Sequence, residues 1–249
     1  GDTYDGVKLV VGNEKNEPLR ETGLSEAPWM ITASEKYLYV LIERRALKYY
    51  LLKYDYSLKK KAEYEVPYSQ VTYRNGYLFV ENERKDRAVL HSYRVEEDGS
   101  LIFVDAVETT GSKCAHVCAD AFGSYVFGAN YASGSVLVTR SDENGQLTMT
   151  DLVQHYGHSI VPVRQDAPRA HAVIQTPDGT GVIVPDLGTD KLVNYKLDRK
   201  SGKLVRNPNQ PVVQVASGEG PRHFVFHPCG RYGSVSYTHL RAHETCADL

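Results

Sequence analysis

The chain has 249 residues, with 29 basic and 31 acidic side chains and a formal net charge of −2. That balance excludes the clustered basic excess of a nucleic-acid-binding surface, and no stretch approaches the roughly 20 apolar residues of a membrane-spanning helix. The length allows one sizeable core or a run of repeats.

Taken in chain order, the predicted elements repeat. Trp29, the single tryptophan, follows Pro28 at the start of a short apolar segment and reads as a core plug rather than a rim contact. A turn at Ser34-Glu35-Lys36 leads into the apolar run Tyr37-Leu38-Tyr39-Val40. Lys59-Lys60-Lys61, the densest basic run, lies between two apolar stretches and reads as a solvated turn. Arg74-Asn75-Gly76 then introduces Tyr77-Leu78-Phe79-Val80, and residues 89–95 turn at Asp98-Gly99 into 101–104. Ala121-Phe122-Gly123 introduces Tyr125-Val126-Phe127, and 136–138 turn at Asn144-Gly145 into Leu147. Pro177-Asp178-Gly179 introduces Gly181-Val182-Ile183-Val184, and the alternating Val193, Tyr195 and Leu197 turn at Ser201-Gly202 into Leu204. Pro228-Cys229-Gly230 opens a fifth unit at Tyr232.

The first residues of the five runs are 40, 48, 56 and 51 positions apart, close to the spacing of propeller blades. Each run is too short for a helix and rich in aromatic and β-branched residues, hence a buried strand. Four of the five turns end in glycine, which supplies the positive φ of a tight hairpin. Each repeat therefore predicts four antiparallel strands, and the chain an all-β propeller with about five blades. A β-sandwich does not predict repeats this similar.

The four cysteines, Cys114, Cys118, Cys229 and Cys246, lack the spacing of a zinc site and read as free buried thiols of a reduced compartment. Hairpin geometry locates candidate site residues, because the start of one antiparallel strand lies beside the end of the next. His116 opens one strand and Asn130-Tyr131 end its partner; His171 opens another and Asp186 ends its partner. Arg222-His223 open the fifth, while Glu43 and Glu81-Asn82-Glu83 stand at the corresponding ends of the first two. Closing the blades into a ring gathers these positions at one rim of one channel. A lone histidine beside a strand is usually structural; three at equivalent places in three repeats point to a site. His91, His155, His158 and His227 have no such positional support.

Gly220-Pro221-Arg222-His223-Phe224-Val225-Phe226-His227-Pro228 resembles a signature of the lactonase seven-bladed propeller family. So do Pro185-Asp186-Leu187-Gly188-Thr189-Asp190-Lys191, Ala129-Asn130-Tyr131-Ala132-Ser133-Gly134-Ser135, and Arg164-Gln165-Asp166-Ala167-Pro168-Arg169-Ala170-His171. Arg169 departs from the family by standing where a histidine is usual, and Cys229 replaces a usual Asn or Asp. The resemblance implies two further blades, so residues 1–234 are expected to be part of a larger propeller. Residues 235–249 resemble the translation of a transposon-type sequencing adaptor and are expected to be a non-native tail. His239 and His243, four apart within it, are accordingly not read as metal ligands.

The resemblance further implies hydrolysis of a sugar lactone in the full-length parent rather than in the fragment. The typical case is 6-phosphogluconolactone to 6-phosphogluconate, a cytoplasmic step of the pentose phosphate pathway. Lactone hydrolysis needs a base near neutral pKa and donors for the developing oxyanion, and a phosphate suits an arginine fork. His171 or His223 is the expected base, with His116 beside them, and Arg222 and Arg164 hold the phosphate or oxyanion. Asp186 or Glu43 would orient a histidine or bind sugar hydroxyls, and Asn130 belongs to the same substrate-binding set. No cofactor or metal is expected: Gly218-Glu219-Gly220 lacks the strand–loop–helix context of a phosphate loop, and no Asp/Asn cluster suggests calcium. The expected partner is a small, phosphorylated sugar lactone, with no nucleic acid and no membrane. The alternatives are a carboxymuconolactone-type cyclase of the same fold and a non-catalytic propeller that binds a protein or sugar on its top face.

Overall fold

The structure, a computed structural model, describes residues 8–12, 17–24, 26, 28–44, 48–81 and 88–237. A hairpin of β1 (Lys8–Gly12) and β2 (Pro18–Gly23) precedes the first blade, which is β3 (Pro28–Ala33), β4 (Tyr37–Arg44), β5 (Lys48–Asp55) and β6 (Lys60–Val66). The second blade is β7 (Gln70–Arg74), β8 (Tyr77–Glu81), β9 (Ala88–Val95) and β10 (Leu101–Thr109). The third is β11 (Cys114–Ala119), β12 (Tyr125–Asn130), β13 (Ser135–Ser141) and β14 (Leu147–Gln154). The fourth is β15 (Ile174–Gln175), β16 (Gly181–Asp186), β17 (Lys191–Asp198) and β18 (Lys203–Arg206), with β19 (Val212–Gln214) also paired to β17. A fifth blade begins with β20 (Pro221–Phe226) and β21 (Gly233–Tyr237). The pairings are antiparallel throughout these blades, as the repeat pattern predicts.

Why the second strand of each blade is apolar almost without interruption follows from the stacking. Successive side chains of a strand point to opposite faces, and here both faces are covered. In β4, Leu38, Val40 and Ile42 pack with Leu9 and Leu52, while Tyr39 and Leu41 pack with Val71, Leu78 and Val80 of the second blade. In β12, Val126 packs toward Phe79 and Leu90, while Phe127 and Ala129 pack toward Val182 and Val184. In β16, Ile183 turns instead to Phe224 and Val235 of the fifth blade. The core is thus a series of layers between blades rather than one central mass.

The turns are set by local chemistry. Arg74 pairs with Tyr77 around Asn75 (φ 48) and Gly76 (φ 84), the two positive dihedrals of a type I′ hairpin. Further along, Gly123 N–H donates to Asp120 O and Gly179 N–H to Thr176 O, both at 2.8 Å. The outer strands are stitched by carboxylates: Asp105 on β10 accepts the Leu147 N–H at 2.8 Å, and Asp151 on β14 accepts the Leu204 N–H at 2.9 Å. A buried Asp120 also receives Arg199 and Gln175 from the fourth blade, both at 2.5 Å.

Two expectations meet the structure differently, and a third concerns residues that the structure describes only in part. Lys60 and Lys61 belong to β6 rather than to a turn, and they are ion-paired to Glu63 at 3.0 Å and Asp55 at 2.8 Å. Of the thiols, Cys114 is buried, Cys118 is half-buried and Cys229 is exposed; Cys246 lies outside the described residues. The expected boundary at Val235 falls inside β21, where Val235 is buried, while residues 238–249 lie outside the described residues.

Candidate active site

The inner strands of four blades carry a one-residue irregularity near their starts, whereas β7 of the second pairs with β8 without one. The register shifts between Pro28 and Met30 in β3, between Cys114 and His116 in β11, and between Pro221 and His223 in β20. Trp29, Ala115 and Arg222 are therefore the extra residues of three equivalent bulges. In the fourth blade Ala170 bridges Asp186 and Ile174 pairs with Ile183, so residues 170–174 oppose 183–186 with one residue to spare. His171 lies in that stretch, its N–H donating to Pro185 O at 3.0 Å. Bulges bend a strand and re-aim its side chains, and they concentrate at rims and next to active sites.

These starts converge on one cavity of about 580 Å³. The first blade contributes Trp29 and Met30, and the second Gln70. His116 and Tyr131 come from the third, Arg164 and His171 from the fourth, and Arg222 and His223 from the fifth. Five of the eight residues singled out in the sequence thus line a common space, although more than 100 positions separate His116 from His223.

Arg222 Nε donates to His171 Nε2 at 3.0 Å, which fixes that nitrogen as the acceptor and leaves the proton on Nδ1. Nδ1 is sealed without a partner among the described residues. The His171 ring meets Tyr131 and His223 edge to face, at centroid distances of 5.5 and 5.2 Å. His116 Nδ1 accepts a long hydrogen bond (3.5 Å) from the Val173 N–H, which ties the third blade to the fourth. His223 Nδ1 lies 3.4 Å from Ser236 Oγ, and Nε2 forms no hydrogen bond among the described residues.

All three imidazoles are held neutral. Burial, reinforced by His223, pushes His116 down to about 4. Burial, then the Arg222 charge and His223, pushes His171 down to about 3. Enclosure by the cavity wall and then Arg222 lower His223. Charging His171 or His223 means adding a cation beside Arg222, and charging His116 means placing one in a buried position.

The remaining sequence-predicted residues do not line the cavity. Asp186 is fully buried: Oδ1 accepts the N–H groups of Arg169 (2.8 Å), Gly188 (3.0 Å) and Thr189 (3.2 Å), and Oδ2 accepts His155 Nδ1 at 2.6 Å. Asn130 is equally buried and donates to Ser135 Oγ at 3.2 Å. Glu43 sits half-buried near the end of β4, opposite Tyr49. Glu81 is buried at the end of β8, opposite the cavity residue Gln70, whereas Asn82 and Glu83 lie outside the described residues. Among the described residues no three His, Cys, Asp or Glu side chains are grouped so as to hold a metal ion.

The description Lactonase, 7-bladed beta-propeller, matches residues 52–238. The chain belongs to that family. The 6-phosphogluconolactonase of Bacillus subtilis is 33% identical over 167 residues, which covers 66% of this chain and 46% of that protein. An uncharacterized Staphylococcus saprophyticus protein is 30% identical over 182 residues, 70% of this chain and 50% of its own. The periplasmic gluconolactonase of Pseudomonas aeruginosa superposes with a TM-score of 0.70 at 25% identity, over 81% of this chain and 61% of that one. The chain spans about half the length of the curated relatives it matches.

Several residues that shape this lactonase-family cavity are not among the site candidates read from the sequence. Trp29, expected in the core, is 50% exposed and lines the cavity; its position on a bulge, not its hydrophobicity, decides where it points. Asp190 is the hidden organiser. Its Oδ1 accepts Gln165 Nε2 (2.7 Å) and Gly220 N–H (2.8 Å), and its Oδ2 accepts Ser159 Oγ (2.5 Å) and Gly218 N–H (2.7 Å). It therefore joins the loop that carries Arg164 to the loop that precedes Arg222. Val163, beside Arg164, holds φ at 68, a strained value for a β-branched residue.

Proposed function

We propose that the full-length protein hydrolyses a sugar lactone carrying an anionic substituent, with 6-phosphogluconolactone as the substrate that fits best. One observation carries this reading: three histidines and two arginines, from three different blades, line one cavity, where burial disfavours the charged form of each imidazole. The family and the 6-phosphogluconolactonase relative support it.

A water molecule attacks the ester carbonyl, and the tetrahedral oxyanion then expels the ring oxygen. His223 is the proposed base, because its Nε2 has no partner among the described residues while His171 Nε2 already accepts from Arg222. A neutral imidazole with a free ring nitrogen facing the cavity is competent to take the proton. An anion bound at Arg222 offsets the charge that lowers His223 and so raises the basicity of the imidazole when substrate is present. The Arg222 terminal nitrogens and Arg164 are the proposed fork for phosphate or oxyanion. His116, whose Nδ1 accepts from a backbone N–H, carries its proton on Nε2 and serves as a donor to substrate oxygen. The product would be 6-phosphogluconate, which places the enzyme in the pentose phosphate pathway, and free Cys114 and Cys118 suit a reduced cytoplasmic setting.

The test compares 6-phosphogluconolactone, unphosphorylated gluconolactone and a carboxymuconolactone on the full-length protein. The expected order favours the phosphorylated substrate, and His223→Ala abolishes turnover with the fold intact. Preference for the carboxymuconolactone assigns the site to the cyclase chemistry of the fold. Turnover of none of them, with a folded protein, leaves a binding module and sinks the lactonase reading.

A further inference from the structure

The cavity has two unlike walls. Arg222, His223, His171 and Arg164 form the charged and polar one, from the fourth and fifth blades. Pro28, Trp29 and Met30 form the other, from the first blade, and it carries no ionisable group. In a seven-bladed ring each blade turns about 51° from the last, so the fifth blade stands about 205° from the first, across the channel. Trp29 and Arg222 occupy the same bulge position in those two blades. The register that aims a guanidinium into the cavity from one side aims an indole into it from the other.

Trp29 is held yet open. Its ring meets Tyr49 edge on at a centroid distance of 6.2 Å, while 50% of the residue remains exposed. A large aromatic surface left uncovered inside a concave site is a binding feature. What suits it, opposite a cationic wall, is a ring with an apolar C–H face and an anionic arm.

We propose that Trp29 is the stacking platform for the substrate ring: the C–H face of a sugar acid or lactone lies on the indole, and its anionic group reaches to Arg222. The assignment rests on the lactonase reading and adds the residue that selects for the ring. It predicts that affinity divides between the walls, the anion read by arginine and the ring by tryptophan.

Trp29 is the only tryptophan in the 249 residues, so its fluorescence reports the site directly. The chain is titrated with 6-phosphogluconate and, separately, with inorganic phosphate, by fluorescence and by calorimetry. 6-Phosphogluconate is expected to quench or shift the emission, and phosphate to bind with no change in it. Trp29→Ala should weaken 6-phosphogluconate about tenfold and leave phosphate unchanged, with Trp29→Phe recovering most of the loss. Calorimetric binding of 6-phosphogluconate without a fluorescence response, and with unchanged affinity in Trp29→Ala, overturns the platform while leaving the lactonase reading standing. Absence of both 6-phosphogluconate binding and lactone turnover in the full-length protein removes that reading and the platform with it.

Discussion

Glu81 offers the sharpest quantitative test of the interior. It lies at the end of β8 with none of its surface exposed, and neither carboxyl oxygen has a hydrogen-bond partner among the described residues. It points toward the third blade, where Gly128 leaves room for it: a Cβ at that position would stand 2.8 Å from Glu81 Oε2. The neighbouring Cys114 thiol is turned to the His116 carbonyl at 3.3 Å. Burial raises the carboxyl from 4.5 to about 7, an effect that the nearby thiol offsets only in part. The folded state therefore holds a proton that the unfolded state releases. That stabilisation is complete below pH 4.5 and is lost as the pH rises to about 7. At about 1.4 kcal/mol per pH unit, the interval amounts to about 3 kcal/mol. Glu81→Gln keeps the shape and removes the titration. Urea unfolding followed by circular dichroism from pH 4 to 8 should show the variant gaining about 3 kcal/mol relative to wild type across that range. Parallel curves would mean that Glu81 titrates as an exposed carboxylate, and the packing between the second and third blades would then be misread.

Two further outcomes concern the cavity. Because kcat/KM reports the free enzyme and enclosure together with Arg222 lowers the proposed base His223, the acid limb of activity should lie below the ordinary histidine value of 6.5. In Arg222→Ala the acid limb should move up toward the ordinary histidine value, since one cause of the lowering of His171 and His223 is gone. A wild-type limb already near 6.5 would refute the electrostatic argument. Asp190→Ala should loosen both arginine loops and raise KM for a phosphorylated lactone about tenfold, with a smaller change for the unphosphorylated one; an equal rise for both would show that Asp190 does not position the anion site.

What could be read from the sequence followed burial. The second strands were legible because both of their faces are covered, so their apolar runs are continuous and need no knowledge of partners. Their turns were legible because a hairpin with positive φ requires glycine or asparagine. The hairpin β1–β2 and the strand β19 escaped notice for the converse reason. In β2 no residue is fully buried, and β19 has no buried residue at all, so neither leaves a pattern.

The site divides along the same line, at the scale of a single residue. Strand ends next to the histidines border the cavity, yet the polar candidates there, Asn130 and Asp186, do not line it. Both turn inward and cap backbone or neighbouring side chains. The next residue along each chain, Tyr131 and Leu187, lines the cavity instead. Successive side chains at a strand end face opposite ways, so an error of one position exchanges wall for interior. The bulges compound this on the inner strands. Trp29 and Arg222 are extra residues, and their neighbours Met30 and His223 resume the ladder. Composition gives no sign of where such an extra residue falls; only the register does. Recurrence remains the usable signal: a residue repeated at one rim position in several blades locates the cavity, and the ladder decides which of two adjacent side chains enters it.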